Sequence, residues 1–535
     1  MSVSRTRFIV ALAFVLTCGS AIAQDEVKTS QIAGGLDVAA VGALGSEEAR
    51  MPSNIWSGSN RAVVAQLVSD LPVRISSPTL ADVTRRVLAA AAEPPAGDQL
   101  VPNFAHVRAN ALLRIGHADL AARIISGLPR VGRQEESDIT LIKANLLTRD
   151  VAGSCEVARE RLGRAKSSIF AKVNAFCDVL SGDISRAHFS AALVAELAPE
   201  DSAYFELLGL LFHEGAKPGP AIGNLINPSP LHRAMLATAG LSPEILPAGG
   251  LPDPFSEDAV AVEMLLATDP IASPALRQEA GHYSILANAL KIEDARQLLM
   301  VAGSPDAPFG LAEVVRISSG SERAIAMGQF LDIARNSAAA ATMARLALPI
   351  LTNLPTTDIS PEIGGKVARG LVLAAAIDMA KGWLDQLEAA SASEELVKLS
   401  QVLAIASGRD LKPFTGEEAL VWVKAMDPAS IAEKASLLGL LRQSVGLTTS
   451  PVLEAIGLVT DVKSTIPPSD LMPLEVAGAE KLVGETILRA VKFVSNGGQS
   501  DQPLRLAAAS KALFEVGLID EARLIAAEAA IMGGL

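Results

Sequence analysis

FAHVRANALLRIGHADLAARIISGLP, residues 104–129, decides how this chain is read. Apolar residues recur at three- and four-residue intervals on both sides of Gly116, the pattern of two amphipathic helices joined at a glycine. A second copy stands far downstream, LAAASKALFEVGLIDEARLIAAEAA at 506–530. The cores align without a gap, ALLRIGHADLAARII at 111–125 against ALFEVGLIDEARLIA at 512–526. Both read Ala-Leu-(Leu/Phe)-x-(Ile/Val)-Gly, and both place an alanine five residues beyond the glycine: Ala121 after Gly116 and Ala522 after Gly517. The glycine ends the first helix, and the alanine lets the second approach it closely.

Looser copies follow at 142–162, 173–194 and 284–299. Ala109, Ala144 and Ala175 fall at comparable places, 35 and 31 residues apart, the length of one helix–turn–helix repeat. Each such pair leaves an apolar face that only the next pair can cover, so the pattern predicts a stacked array. Over about 100–200 and 505–531 the chain resembles the tetratricopeptide and Sel1-type repeats of exported bacterial proteins, although most aromatic positions typical of tetratricopeptide repeats are missing. The resemblance implies an all-α fold, a right-handed α–α superhelix.

Composition agrees with a helical reading. Half the residues are hydrophobic, mostly Ala, Leu, Ile and Val, and only 4% are aromatic; sandwiches and barrels lean on β-branched and aromatic residues instead. Four boundaries follow. Residues 1–23 read as a secretory signal peptide, with Arg5 and Arg7 before the apolar run Phe8–Leu16 and a small-x-small cleavage site, Ala21-Ile22-Ala23, before Gln24. Cys18 offers the alternative of a lipid-anchored cysteine, although Thr17 stands where such signals usually carry Gly, Ala or Ser. Residues 24–58, rich in glycine, read as a flexible leader, and 59–214 as an N-terminal helical repeat domain. The proline- and glycine-dense stretch 215–258 reads as a linker with one or two short helices, and 259–535 as a C-terminal helical repeat domain with a weaker break near 446–474. Within the latter, Trp383 is the expected anchor of the alanine-packed stretch 366–391. A periplasmic location is expected, and after the signal no apolar run reaches the ~18 residues of a spanning helix.

Removing Cys18 with the signal leaves Cys155 and Cys177. Each lies eleven residues from Lys166, where two antiparallel helices would turn, so both come to one level. A structural disulfide is expected in an oxidising compartment, with two free thiols as the alternative.

The formal charge of −13 becomes −15 without Arg5 and Arg7, and there is no basic cluster, which argues against nucleic acid as a partner. His213-Glu214 begins like a zinc-protease motif, but Lys217 stands where the second histidine belongs. Gly364-Gly365-Lys366 lacks the preceding glycine and the following Ser or Thr of a phosphate loop. The acidic doublets Glu47-Glu48, Glu135-Glu136, Glu394-Glu395 and Glu417-Glu418 read as surface charge, since neighbours on a helix face different ways. Glu136-Ser137 is the one pair comparable to a lytic transglycosylase, without the Gly-Leu-Met-Gln-like stretch such enzymes carry. No catalytic residue, metal ligand or cofactor is nominated. The residues singled out are Cys155 and Cys177 for the disulfide, Ala23 and Gln24 for cleavage, and Gly116, Ala121, Gly517 and Ala522 for repeat packing. The expected function is a periplasmic scaffold or assembly factor that binds another envelope protein, for example in a flagellar, secretion or cell-wall complex. A lipid- or glycan-binding helical protein and an enzyme with an unrecognised site are the alternatives.

Overall fold

The computed structural model describes residues 37–240 and 320–535, apart from 74, 131–132, 214–215, 224, 226–227, 336–343, 345–347, 356–358, 391–392, 413, 415, 425–429, 450, 452, 456–465 and 499. The signal peptide with Cys18, the Ala23–Gln24 cleavage site and the repeat copy at 284–299 lie outside the described residues.

What is described is all-α. Helices α1 (Arg61–Ser69) and α2 (Pro78–Ala89) precede three hairpins. These are α3 (Phe104–Arg114) with α4 (Ala118–Ser126), α5 (Glu135–Leu147) with α6 (Val151–Arg161), and α7 (Ile169–Leu180) with α8 (Ile184–Leu197). Helices α9 (Ser202–Phe212) and α10 (Pro230–Thr238) close this half. The second half holds α11 (Gly320–Arg335), the hairpin α12 (Pro361–Leu373) with α13 (Ile377–Ala389), and then α14 (Ser393–Ser407), α15 (Gly416–Lys424) and α16 (Ile431–Ser444). It ends in two hairpins, α17 (Pro468–Ala479) with α18 (Val483–Ser495), and α19 (Gln502–Glu515) with α20 (Ile519–Met532). Side-chain caps start many of them. Asn60, Ser77, Asn103, Asp150, Asp183, Asp201, Ser229 and Ser360 each accept from a backbone amide of the first turn.

All six hairpins turn the same way. The residue one past the C-cap is left-handed, with φ between 58° and 94°: Gly116, Arg149, Gly182, Ala375, Lys481 and Gly517. The next amide donates to the carbonyl five residues back at 2.7–3.0 Å, as in His117 to Leu112 and Leu518 to Leu513, which is a Schellman closure. That next residue is already the N-cap of the second helix. A connection this short forces the helices close together, and the residue five beyond the turn meets the first helix. It is small and 0% exposed every time: Ala121, Ser154, Ala187, Ala380, Thr486 and Ala522. The expected alanine is therefore a requirement for smallness.

The turns also correct the repeat register. Gly116, Arg149 and Gly182 are spaced 33 residues apart twice over. Counted from the turn, Ala109 and Ala175 are equivalent, but Ala144 lies two residues out of step. The equivalent residue is Ile142, as fully buried as the two alanines.

Mostly, sequence neighbours pack on one another: α3 on α4, α4 on α5, α5 on α6, α6 on α7, α7 on α8, and again α12 on α13, α13 on α14, α17 on α18, α18 on α19. The exception joins the two ends of the chain. Helix α1 packs on α18, and α2 packs on both α18 and α20. On their other side, α1 and α2 pack on α3. Helices α14 and α16 lie against α20, and α12 against α20 and α14. The array thus runs in space from α7–α8 through α3–α4 to α1 and α2, then to α17–α20, and on to α12–α14.

Two buried charged residues grip the connecting element at 38–90. Arg108 of α3, 0% exposed, donates to the carbonyls of Leu88, Ala90, Ala39 and Val41. Glu528 of α20, 4% exposed, accepts from Ser77 Oγ, from Thr79 Oγ1 at 2.6 Å and from the Thr79 amide at 3.3 Å. Trp56 lies over Gly484 at the start of α18, where a Cβ would come within 2.5 Å of the ring, and the Gly484 amide donates to Ile55 O at 3.0 Å. Truncating a buried tryptophan costs about 3–5 kcal/mol, whereas an exposed pair such as Lys492–Asp70 contributes at most ~1 kcal/mol. Apolar packing dominates the joint.

Several expectations change here. The 24–58 leader is, from Val38 onward, part of the packed body: Ala39, Leu44, Ala49, Met51, Ile55 and Trp56 are all buried. Glycine there serves close packing, since a Cβ on Gly42 would collide with the backbone at Ala90 and Ala91. The described part of 215–258 holds a four-residue turn, Pro220–Gly223, and α10, which packs on α5 and α9. The described residues between Val38 and Leu535 belong to one compact unit. Trp383 does anchor its hairpin, resting on Gly364 with only 5% of it exposed.

Cys155 of α6 and Cys177 of α7 form a disulfide, with Cα atoms 5.8 Å apart. The two helices it bridges are packed neighbours on either side of the Lys166 turn.

Two outcomes test this description. Gly517 has open space around its missing Cβ, so Gly517→Ala should cost only the left-handed penalty, about 1 kcal/mol, while Ala375→Gly should stabilise by roughly as much; urea unfolding reads both. Reducing the disulfide frees a loop of 22 residues and should lower stability by about 3 kcal/mol; an unchanged unfolding midpoint would contradict its structural role.

Candidate functional site

A cleft of about 870 Å³ opens where the connecting element meets the second half of the array. Arg50, Thr79, Asp82 and Arg86 line one side, the Ala374–Ala375 turn and Leu348 another, and the third is formed by residues 517–521 with Arg523 and Leu524. Two of the six hairpin turns therefore face it. Its charges neutralise one another. Arg86 lies between Asp82 at 2.9 Å and Glu521 at 2.6 Å, and Arg523 faces Asp520 at 3.6 Å. Thr79, its only hydroxyl side chain among the described lining residues, is spent on Glu528. Among the described residues that lining offers no nucleophile poised beside a base, and charged side chains interrupt its apolar surface, unlike a dry channel for an acyl chain.

A second polar cluster ties α7, α9 and α10 together. Asp201, the N-cap of α9, accepts from Lys172 Nζ at 2.7 Å and from the Tyr204 amide at 3.2 Å, and lies 3.2 Å from His232 Nε2. The Lys172 ammonium sits 5.6 Å from the Tyr204 ring, and the Tyr204 hydroxyl donates to the Lys172 carbonyl at 3.0 Å. Burial pushes His232 below its ordinary value, against the pull of Asp201. For Asp201 burial works upward, but the Lys172 hydrogen bond, the His232 charge and the Tyr204 amide outweigh it and hold the carboxyl low. Lys172, Asp201, Tyr204 and His232 each have a partner within the cluster, so it serves to fasten three helices.

The third feature is the outer face of the α7–α8 hairpin. The position four before the turn is Leu112, Leu371 or Leu513 in three other hairpins, all buried. Here it is Asp178, 1% exposed, whose Oδ2 accepts from Asn174 at 3.1 Å and Ser190 at 2.9 Å. Only Ala187, Ser190 and Val194 of α8 are buried. Ile184, Phe189 and Leu197 stand out on it, with Leu180 at the end of α7; Phe189 is 74% exposed. Helix α8 packs on α7, whereas α4 and α6 are each sandwiched between their own partner and the next hairpin.

The residues nominated from sequence fall at turns and packing points, apart from the cleft. Gly517 alone of them lines it. Cys155, Cys177, Ala121 and Ala522 are interior, and Gly116 closes α3. His213 caps the C-terminus of α9, and Gly364 through Lys366 lie inside α12, where Lys366 pairs with Glu362 at 2.7 Å. Glu135 accepts from the amides of Lys166 and Ser167 in the loop just before α7. Ser137 is buried beside His106, 3.3 Å from Nδ1. Glu395 departs from the surface reading: it is largely buried and pairs with Arg369 at 2.9 Å. Sequence reasoning missed Trp56, Arg108 and Glu528; a tryptophan inside a glycine-rich stretch was the available signal. No family model, no curated protein and no solved structure matches this chain.

Burial lowers both His106 and His232 from the ordinary 6.5. The unfolded chain therefore takes up these protons first as pH falls. The contribution of both histidines to stability is fully present above about pH 6.5 and declines below it, and that of Asp201 declines only below the ordinary carboxyl value of 3.8. A pH series of unfolding midpoints should show the loss beginning near pH 6.5, and the double variant His106→Gln, His232→Gln should flatten it; an unaltered slope would refute the assignment.

Proposed function

We propose that this protein is an exported scaffold or assembly factor, a right-handed α–α superhelix of the periplasm that binds another protein of the cell envelope. The observation that carries the reading is the outer face of α8. A hairpin array normally covers the second helix of each pair with the next pair, yet α8 leaves Ile184, Phe189 and Leu197 in solvent beside Leu180. Phe189, 74% exposed and turned away from the buried Ala187, Ser190 and Val194, is the most exposed of these and the proposed anchor of the contact. The disulfide accords with an oxidising compartment, as the signal-like 1–23 requires. No helix among the described residues is long and apolar enough to cross a membrane. The paired charges of the cleft favour binding over catalysis.

A photo-crosslinking residue placed at Phe189 in living cells should yield a discrete adduct with one envelope protein. The same residue at Val73, 65% exposed on the connecting element, should not. Equal adducts from both positions, or none from Phe189, would count against the scaffold reading.

A further inference from the structure

Among the described residues the two halves of the array meet through residues 38–90, an element that continues by the chain through 91–103 into α3 and meets the C-terminal half by non-covalent contacts. From the N-terminal half Arg108 holds four of its carbonyls, and α3 packs on both α1 and α2. From the C-terminal half come the Trp56–Gly484 contact, the Ile55–Gly484 backbone bond and the three hydrogen bonds to Glu528. Arg86–Glu521 at 2.6 Å, Gln502–Ser76 at 2.7 Å and Lys492–Asp70 at 3.0 Å add to them. These partners are more than 400 residues apart in sequence, so none is a by-product of local folding.

We propose that this element is a clasp, which holds the N-terminal and C-terminal arrays together by itself, independently of the covalent connection through residues 241–319. The side chains at the joint fit that role. Trp56 is 1% exposed and also meets Phe104 edge-on, with centroids 5.6 Å apart, so one ring touches both halves. Glu528 satisfies the start of α2: its carboxylate takes the hydroxyls of Ser77 and Thr79 and an amide of the first turn, where the helix dipole favours a negative charge. Truncating Trp56 opens a cavity between the halves, and truncating Glu528 removes the acceptor that Ser77 and Thr79 share, which is how a joint becomes specific as well as strong. A covalent tether acts on such a joint by raising the local concentration of one half near the other. A well-packed joint survives losing it at micromolar protein.

The test uses the full mature chain with a site-specific protease sequence inserted at residue 270. After complete cleavage, shown on a denaturing gel, native size exclusion should give one species at the volume of the uncut protein. Two smaller species from the cut wild-type chain would overturn the proposal. The variant Gly484→Leu with Glu528→Ala should remain one helical species uncut and separate into two once cut; persistence as one species would also overturn it. A pair that preserves the joint gives an independent reading. Asp70→Cys with Lys492→Cys, treated with a short bismaleimide while Cys155 and Cys177 stay in their disulfide, should link the two cut fragments on a denaturing gel. Failure to link would place the two halves apart and end the proposal.

Discussion

A single left-handed residue after each first helix is the constraint on which this fold depends. Because the following residue already caps the second helix, the connection has no slack, and the two helices must cross within contact distance. That closeness is why Ala121, Ser154, Ala187, Ala380, Thr486 and Ala522 are all small and fully buried. A larger side chain there would push the helices apart or force strained rotamers, at about 1–3 kcal/mol. Six hairpins built alike present alike faces, and stacking them buries what each alone would expose. The aromatic-poor composition follows from this geometry: helices packed at short range have room for alanine, and large rings are kept for the few places where layers meet, such as Trp56 and Trp383.

The sequence carries this rule unevenly. It is plain at Gly116 and Gly517, where the residue that tolerates a positive φ is also the one that announces a turn. It is hidden at Arg149, Ala375 and Lys481, which adopt the same conformation with φ of 63°, 61° and 58°. Without a glycine to fix the register, the second repeat aligns on Ala144 instead of Ile142, and the hairpins at 361–389 and 468–495 do not stand out. The disulfide was legible because two cysteines equidistant from a turn is a geometric statement in itself. The connecting element was not. Its glycines serve close approach of backbones, and its core residues find their partners more than 400 positions away, beyond the reach of any periodicity.

Function was less legible than fold for a related reason. The polar residues of this protein are mostly spent on holding it together. Arg108 is buried with its guanidinium on backbone carbonyls, and Glu528 is buried with its carboxylate on two hydroxyls and an amide; such residues resemble active-site groups in isolation and prove to be fasteners in context. Lys172, Asp201 and His232 form a compact titratable cluster for the same purpose. Exposed apolar side chains on α8, Phe189 foremost, are what the proposed binding role rests on.

The central structural claim is that the two ends of the chain form the middle of the array. Ser69, at the end of α1, and Ser495, at the end of α18, are both exposed and stand on helices packed against each other. Spin labels on Ser69→Cys and Ser495→Cys, with Cys155 and Cys177 kept in their disulfide, report that contact directly by pulsed electron paramagnetic resonance. A narrow distribution at short distance is the predicted result. A broad distribution centred at long distance would mean that the ends do not meet and would contradict the architecture.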